Sequence, residues 1–233
     1  MPQPTSSVTF SRREKARLRL ASQGLTVQRW ESAEEVARAF GVMQGQDLHS
    51  VRRSLALRAQ DHSDAENIVR GYPMRHTLFA ASIKDIGWIT ELCAKRRKGD
   101  AELLAAVNKL IDRPLSRVEL KERATTTLPE VPFWHVVRVA MESGHAVYSG
   151  ADQLITPVDL PGLEEIYNGD KVAATTELMT RYFRTHGPAT LGDFAWWTKL
   201  PQRLIRPAAD SLPPDIVRCG EESQDLVSVS YTH

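Results

Sequence analysis

A serine or threonine followed three residues later by an acid recurs along this chain, among other places at six candidate helix starts: Ser11 with Glu14, Ser32 with Glu35, Ser63 with Glu66, Ser82 with Asp85, Ser116 with Glu119 and Thr190 with Asp193. This is the capping-box pattern. The hydroxyl accepts from a free backbone N–H at a helix start, and the acid reaches back to the chain and suits the positive end of the helix dipole. Most of the six lead into amphipathic stretches such as AEEVARAFG and IKDIGWITELCAKRR, so a mainly α chain is expected. Gly24, Gly41, Gly71, Gly99 and Gly144 fall where those helices should stop.

Strand signals are few and short: MRHTLFAAS at 74–82, HAVYSG at 145–150 followed by DQLITPV, and DLVSVSYTH at the end. Gly150, Ala151 and Asp152 read as a hairpin turn between the second pair. Helices interrupted by short β-hairpins are the makings of winged helices, and a weak internal repeat points the same way. RPLSRVEL at 113–120 and GPATLGDF at 187–194 share a proline, a capping Ser or Thr two residues on, an acid three later and an apolar residue after it. Each follows a helical stretch, as the helix-turn-helix opening of a winged helix would. RWESAEEVARAF reads as a third copy. The expected organisation is three tandem winged-helix modules, at 8–99, 100–160 and 172–233.

Composition limits the partners. With 30 Lys and Arg against 29 Asp and Glu, the chain is no polycation, so affinity for nucleic acid has to come from local arrangement. Arg12, Arg13, Lys15, Arg17 and Arg19 crowd the first helix, Arg52, Arg53 and Arg58 follow in a later one, and KRRK spans 95–98. As a set they suggest a DNA-facing side; singly, each reads equally well as a solvated, salt-bridged surface. Cys93 and Cys219 have neither metal-ligand nor disulfide-framework spacing, and the seven histidines show no HxxxH or HExxH. No metal or cofactor is expected. No apolar run approaches a membrane span and the N-terminus lacks an apolar signal core, so a soluble, cytoplasmic monomer is expected.

One stretch stands out chemically: GVMQGQDLHSVRR, at 41–53. Gln44 and Gln46 have no useful pKa, but each can orient a water through its carbonyl oxygen. Cleavage of an ordinary glycosidic bond needs carboxylates to activate water and leaving group. An N7-alkylated guanine or N3-alkylated adenine already carries positive charge and departs neutral, so only water placement and stabilisation of a cationic sugar remain. The plainer reading is that the two amides cap backbone groups or face water. Asp47 reads as a helix N-cap rather than a base. Phe194 and Trp197 lie three apart on one helix face and read as core, so the Trp196–Trp197 pair suggests packing more than base stacking; Trp134 and His135 also read as packing residues.

Three stretches resemble the bacterial winged-helix family that includes the AlkZ and YcaQ crosslink-repair DNA glycosylases. They are LASQGL with FGVMQGQDLHSVRRSLALRA (20–59), IVRGYPMRHTLFAASIKDIGWI (68–89) and RYFRTHGPATLGDFAWWTKLP (181–201). The resemblance implies excision of bulky N-alkylated purines, with interstrand crosslinks as candidate substrates. Gln44 and Gln46 fall on the family's Gln-x-Gln motif, and Arg75 and His76, in its MRGT strand motif, join Arg12, Arg13, Arg17, Arg52 and Arg53 as expected contacts to double-stranded DNA. The chain departs from the family at Gly45, where a larger residue is usual, at His76, where glycine is usual, and in ending at His233 without the family's further C-terminal part. Two other functions are weighed: a non-catalytic winged-helix DNA-binding protein such as a transcriptional regulator, and a protein-interaction module.

Overall fold

A computed structural model describes residues 10–26, 30–93, 100–219 and 226–229. The KRRK cluster, Gly99 and most of the last predicted strand lie outside the described residues. What is described is mainly helical, with small sheets in which antiparallel pairing dominates.

Helix α1 (Arg12–Ser22) opens with Ser11 and Glu14 exchanging both capping bonds. A short strand β1 (Trp30–Ser32) follows. The chain then runs three times through one order of helix, short strand, helix and hairpin. The first pass is α2 (Ala33–Phe40), β2 (Met43–Gln44), α3 (Leu48–Ala56), β3 (Ala59–Asp61), a 3-10 turn at Ala65–Asn67, β4 (Ile68–Met74) and β5 (Thr77–Ser82), with α4 (Ile83–Cys93) leading out. The second is α5 (Asp100–Leu110), a single bridge at Leu115, α6 (Arg117–Thr127), α7 (Phe133–Glu142), β6 (Ala146–Ser149) and β7 (Leu154–Pro157). After α8 (Leu163–Tyr167) the third is α9 (Lys171–His186), β8 (Ala189–Thr190), α10 (Leu191–Thr198), α11 (Gln202–Asp210), β9 (Ile216–Cys219) and β10 (Leu226–Val229).

Strand order repeats as well. In each pass the short strand pairs with the second hairpin strand: β2 with β5, Leu115 with Ile155 of β7, and β8 with β10. Pairing of β4 with β6, at Arg70 and Tyr148, joins the first two hairpins into one five-stranded sheet, β2-β5-β4-β6-β7. β1 and β3 form a separate parallel pair.

Local signals held where nothing stronger competed. Ser116 with Glu119 and Thr190 with Asp193 are complete capping boxes, and Ser32 caps α2 through Glu35 N. Two of the six patterns do other work. Ser63 binds Asp61, and no side chain caps the 3-10 turn after it. Ser82 accepts from Lys84 N, while Asp85 turns into the core. Gly71 sits inside β4 rather than ending a helix: strand pairing with Phe79 claims it. The third copy of the repeat is displaced by one helix. RWESAEEVARAF leads into the first helix of its pass, and the counterpart of RPLSRVEL and GPATLGDF is the stretch around Gln44, where a short strand precedes a capped helix.

Asp85 ties three helices together. It is buried on α4 and accepts from Arg181 of α9 at 2.8 Å and from Trp88 Nε1 at 3.0 Å, with Arg38 of α2 at 3.5 Å. Burial opposes the charge on Arg181, but Asp85 and Glu177 outweigh it and hold the guanidinium above its ordinary pKa. Asp85→Ala leaves Arg181 buried without its main partner and is expected to cost about 3–5 kcal/mol of stability in urea denaturation. Adding Arg181→Met should return part of that loss; a double variant no more stable than Asp85→Ala would show that the pair is not the cause.

Candidate active site

Strand alternation decides where the glutamines point. β2 pairs with β5 at Met43 opposite Ala80 and Gln44 opposite Phe79. Successive side chains of an extended chain alternate faces. Met43 and Gly45 are therefore buried, and Gln44 and Gln46 are exposed on the same side. Asp47 then caps α3, its Oδ2 accepting from Ser50 N at 2.8 Å and from Ser50 Oγ at 2.6 Å. Those bonds hold its carboxyl below the usual range, so it is ionised at neutral pH.

Gly45 is a steric requirement. A Cβ there would lie 2.5 Å from Phe79 C and 2.6 Å from Ala80 N, inside the backbone of β5. The Gly45 N–H donates to Leu78 O at 3.0 Å, and Arg70 Nη1 donates to Gly45 O at 2.8 Å and reaches Gln46 O at 3.4 Å. Arg70 Nε is itself held by Gln153 Oε1, at 2.6 Å, in the β6–β7 turn. The glutamine turn is thus gripped from both hairpins of the five-stranded sheet.

The glutamines open onto a cleft of about 660 Å³, well inside the range of small-molecule pockets. Its polar lining is Gln23, Gln44, Gln46, Asp47, Ser50 and Ser54. Its aromatic lining is Phe40, Phe79, His186, Trp196 and Trp197, and Arg75 also borders it. Neither glutamine amide is engaged by another described side chain. Asp47 is the one carboxylate among the described lining residues.

His186, at the end of α9, stacks on Tyr182 with 4.7 Å between centroids and meets Phe40 edge-on at 5.6 Å. Burial pushes its pKa down to about 4, so the ring is neutral at pH 7. The folded pKa lies below the unfolded value, near 6.5, so between the two the unfolded chain binds a proton that the folded chain does not. This contribution is full above the unfolded pKa and is lost as pH falls. From about pH 7.5 to about pH 5 the loss is expected to be about 2 kcal/mol. Urea midpoints at the two pH values should show it, and His186→Gln should flatten that slope; equal slopes in both proteins would assign the pH dependence elsewhere.

Arg75 and His76 form the two-residue turn between β4 and β5, at φ 54° and 53°. Two consecutive left-handed residues make the type I′ hairpin turn that Asn-Gly usually fills, so both side chains hold a strained backbone. Arg75 reaches the cleft. His76 instead binds Glu142 of α7 beside a second, smaller cavity of about 320 Å³.

The remaining expected contacts scatter. Arg52 and Arg53 are exposed on α3, the helix that Asp47 caps. Arg12, Arg13 and Arg17 are exposed on α1, whose C-cap Gln23 lines the cleft, so Arg12 stands about 17 Å from Gln23 along the helix. Two arginines of the basic clusters are taken up by the fold. Arg58 is buried, with Nε on Gln23 O at 2.7 Å and Nη1 on Ser54 O, and Arg19 Nε donates to Pro188 O. Trp134 is 62% exposed rather than packed, stacked on His135. Arg70, Ser50, Ser54 and His186 carry no sequence signal of their role; Trp196 carries one, being out of phase with buried Phe194.

Among the described residues no group of three or more His, Cys, Asp or Glu stands close enough to hold a metal ion, and no helix is long and apolar enough to cross a membrane. The cleft offers fixed amide and hydroxyl dipoles, one anion and an aromatic wall. It holds no side chain that titrates near neutrality, so it is equipped to place a water and steady a cation rather than to shuttle protons.

No curated protein matches the chain. Among solved structures it is similar to Streptomyces sahachiroi DNA glycosylase AlkZ, with a TM-score of 0.71 and 16% identity over 96% of this chain and 71% of that one. That likeness shows the fold. Residues 37–229, which include both glutamines and every cleft residue except Gln23, match the model of the family described as DNA glycosylase AlkZ-like. With that match spanning most of its length, the chain belongs to the AlkZ-like DNA glycosylase family.

Proposed function

We propose that this chain is a monofunctional DNA glycosylase that hydrolyses the N-glycosidic bond of bulky N-alkylated purines, interstrand crosslinks among them. The observation that carries the reading is the pair of neutral amides on one face of β2, opening on a cleft without a proton shuttle. A cationic purine leaves without being protonated. Gln44 and Gln46 would hold the attacking water, whose surplus proton passes to solvent as its oxygen bonds the sugar, and turn their carbonyl dipoles toward the positive charge growing there, while Asp47, ionised nearby, would add to that field. The three repeated passes support a scaffold of three winged helices, at 8–99, 100–160 and 172–233. Arg12, Arg13, Arg17, Arg52, Arg53, Arg75 and His76 are proposed to face double-stranded DNA, with the protein acting as a cytoplasmic monomer and needing neither metal nor cofactor.

The test is release of 7-methylguanine from alkylated duplex. Release above the spontaneous rate is expected; none at any enzyme concentration would sink the enzymatic reading. A salt titration on plain duplex then separates what is left. A steep fall in affinity with added salt marks a DNA-binding protein, and weak binding indifferent to salt marks a protein-interaction module.

A further inference from the structure

The exposed tryptophan of the cleft is not accounted for by packing. In α10, Phe194 is fully buried, while Trp196, two residues on and about 200° around the helix, is 65% exposed. Large aromatic rings are rarely left so open, and this one is held in place rather than loose. The Arg75 guanidinium lies 5.4 Å from the centre of the indole, and the Lys199 ammonium 4.8 Å from it. Lys199 reaches the ring because α10 ends there in a left-handed residue, φ 59°, which folds the chain back. Arg75 is fixed in turn by Phe79, 5.5 Å from its guanidinium, and by the strained turn it occupies. Its Nε is buried and makes no hydrogen bond among the described residues.

An exposed indole with two cations over its ring gathers what the two halves of a nucleotide need: aromatic surface against which a base can stack, and charge to neutralise a phosphate. Trp196 also lines the cleft that Gln44 and Gln46 share. We infer that Trp196 is the platform on which a nucleobase stacks at the glutamine cleft, with Arg75 and Lys199 as the phosphate partners beside it. This rests on the glycosylase reading for its place in catalysis, though stacking itself can be measured without catalysis. Trp196 is a positioning residue in this scheme. It reaches the reaction through the nucleotide it holds and takes no part in moving the water.

Two measurements on the full chain test it. In the first, 7-methylguanine release is followed for wild type, Trp196→Ala and Trp196→Phe. Stacking on an aromatic predicts a rise in KM of about 10- to 100-fold for Trp196→Ala, most of it regained by Trp196→Phe. Thermal midpoints should move little, since the ring is exposed and only its contacts with the two cations are lost. In the second, an undamaged single-stranded oligonucleotide is added and tryptophan emission recorded; quenching is expected in wild type and should be much reduced in Trp196→Phe. If wild type releases the base but Trp196→Ala behaves like it and quenching survives in Trp196→Phe, the platform is overturned and the glycosylase reading stands. If wild type releases nothing but quenching is lost in Trp196→Phe, the platform stands and the glycosylase reading falls. A loss of activity in Trp196→Ala that Trp196→Phe does not restore, with quenching unchanged, assigns the ring a structural role and overturns the inference.

Discussion

Changing both glutamines together, Gln44→Ala with Gln46→Ala, is expected to lower release of 7-methylguanine by at least about 100-fold while leaving stability and duplex binding intact. The magnitude follows from what one preorganised dipole contributes elsewhere: removing a single donor of this kind costs about 10²–10³ in kcat. Two dipoles aimed at one water act as a unit, so the double variant should lose little more than the worse single one. The stability claim follows from exposure. Neither amide is buried or engaged by another described side chain, and alanine keeps the extended backbone of β2. Asp47→Asn is the control that separates amides from carboxylate. Asparagine keeps the N-cap acceptor and so the helix start, while it removes the charge. If Asp47→Asn is as damaging as the double glutamine variant, the carboxylate is the base and the glutamines are bystanders. A glutamine mechanism also predicts a rate nearly flat from about pH 6 to about pH 9, because no lining group among the described residues titrates there.

What the sequence made legible and what it hid divide by range. Capping boxes are local, so Ser11, Ser116 and Thr190 revealed true helix starts, and Asp47 was read correctly as a cap. The short strand β2 was not among the strands read from the sequence, and its alternation is what places Gln44 and Gln46 side by side. The cleft was not legible, because its walls come from α1, α2, α3, the β4–β5 turn, α9 and α10. Periodicity says which face of a helix is apolar and is silent on which element that face will meet. Arg58 shows the cost. In sequence it belongs with Arg52 and Arg53, yet the free carbonyl of Gln23, 35 residues earlier, draws it into the interior. Trp196 shows the reverse error: the pairing of Phe194 with Trp197 explained one indole of the two, and the other was absorbed into the same explanation. Asp85 matched a capping pattern by spacing, and only the arrival of Arg181 from α9 gave it different work.

Gly45→Ala is expected to be the most damaging change of a single methyl group in the site. The resemblance marked Gly45 as a departure without saying what it does to the glutamine pair; the structure makes it a steric requirement of that pair. Its Cβ would have to occupy a point 2.5 Å from a backbone carbon of β5, where no side-chain rotation can relieve the contact. Either β2 lifts away from β5, losing the Gly45 N–H to Leu78 bond and the grip of Arg70 on the Gly45 carbonyl, or β5 shifts and takes Phe79 and the Arg75 turn with it. Overpacking of this sort costs about 1–3 kcal/mol. The larger effect should be catalytic. Gln44 and Gln46 flank the displaced residue, and a misplacement of about 1 Å in a positioned group can cost about 100-fold in rate. Excision by Gly45→Ala should therefore fall by about that factor at a temperature where the variant is still folded, with duplex binding largely retained because, of the expected phosphate contacts, Arg12, Arg13, Arg17, Arg52 and Arg53 stand on α1 and α3, outside both strands. Activity near wild type in a folded Gly45→Ala protein would show that β2 can separate from β5 without moving the glutamines, and the requirement for two rigidly paired amides would go with it.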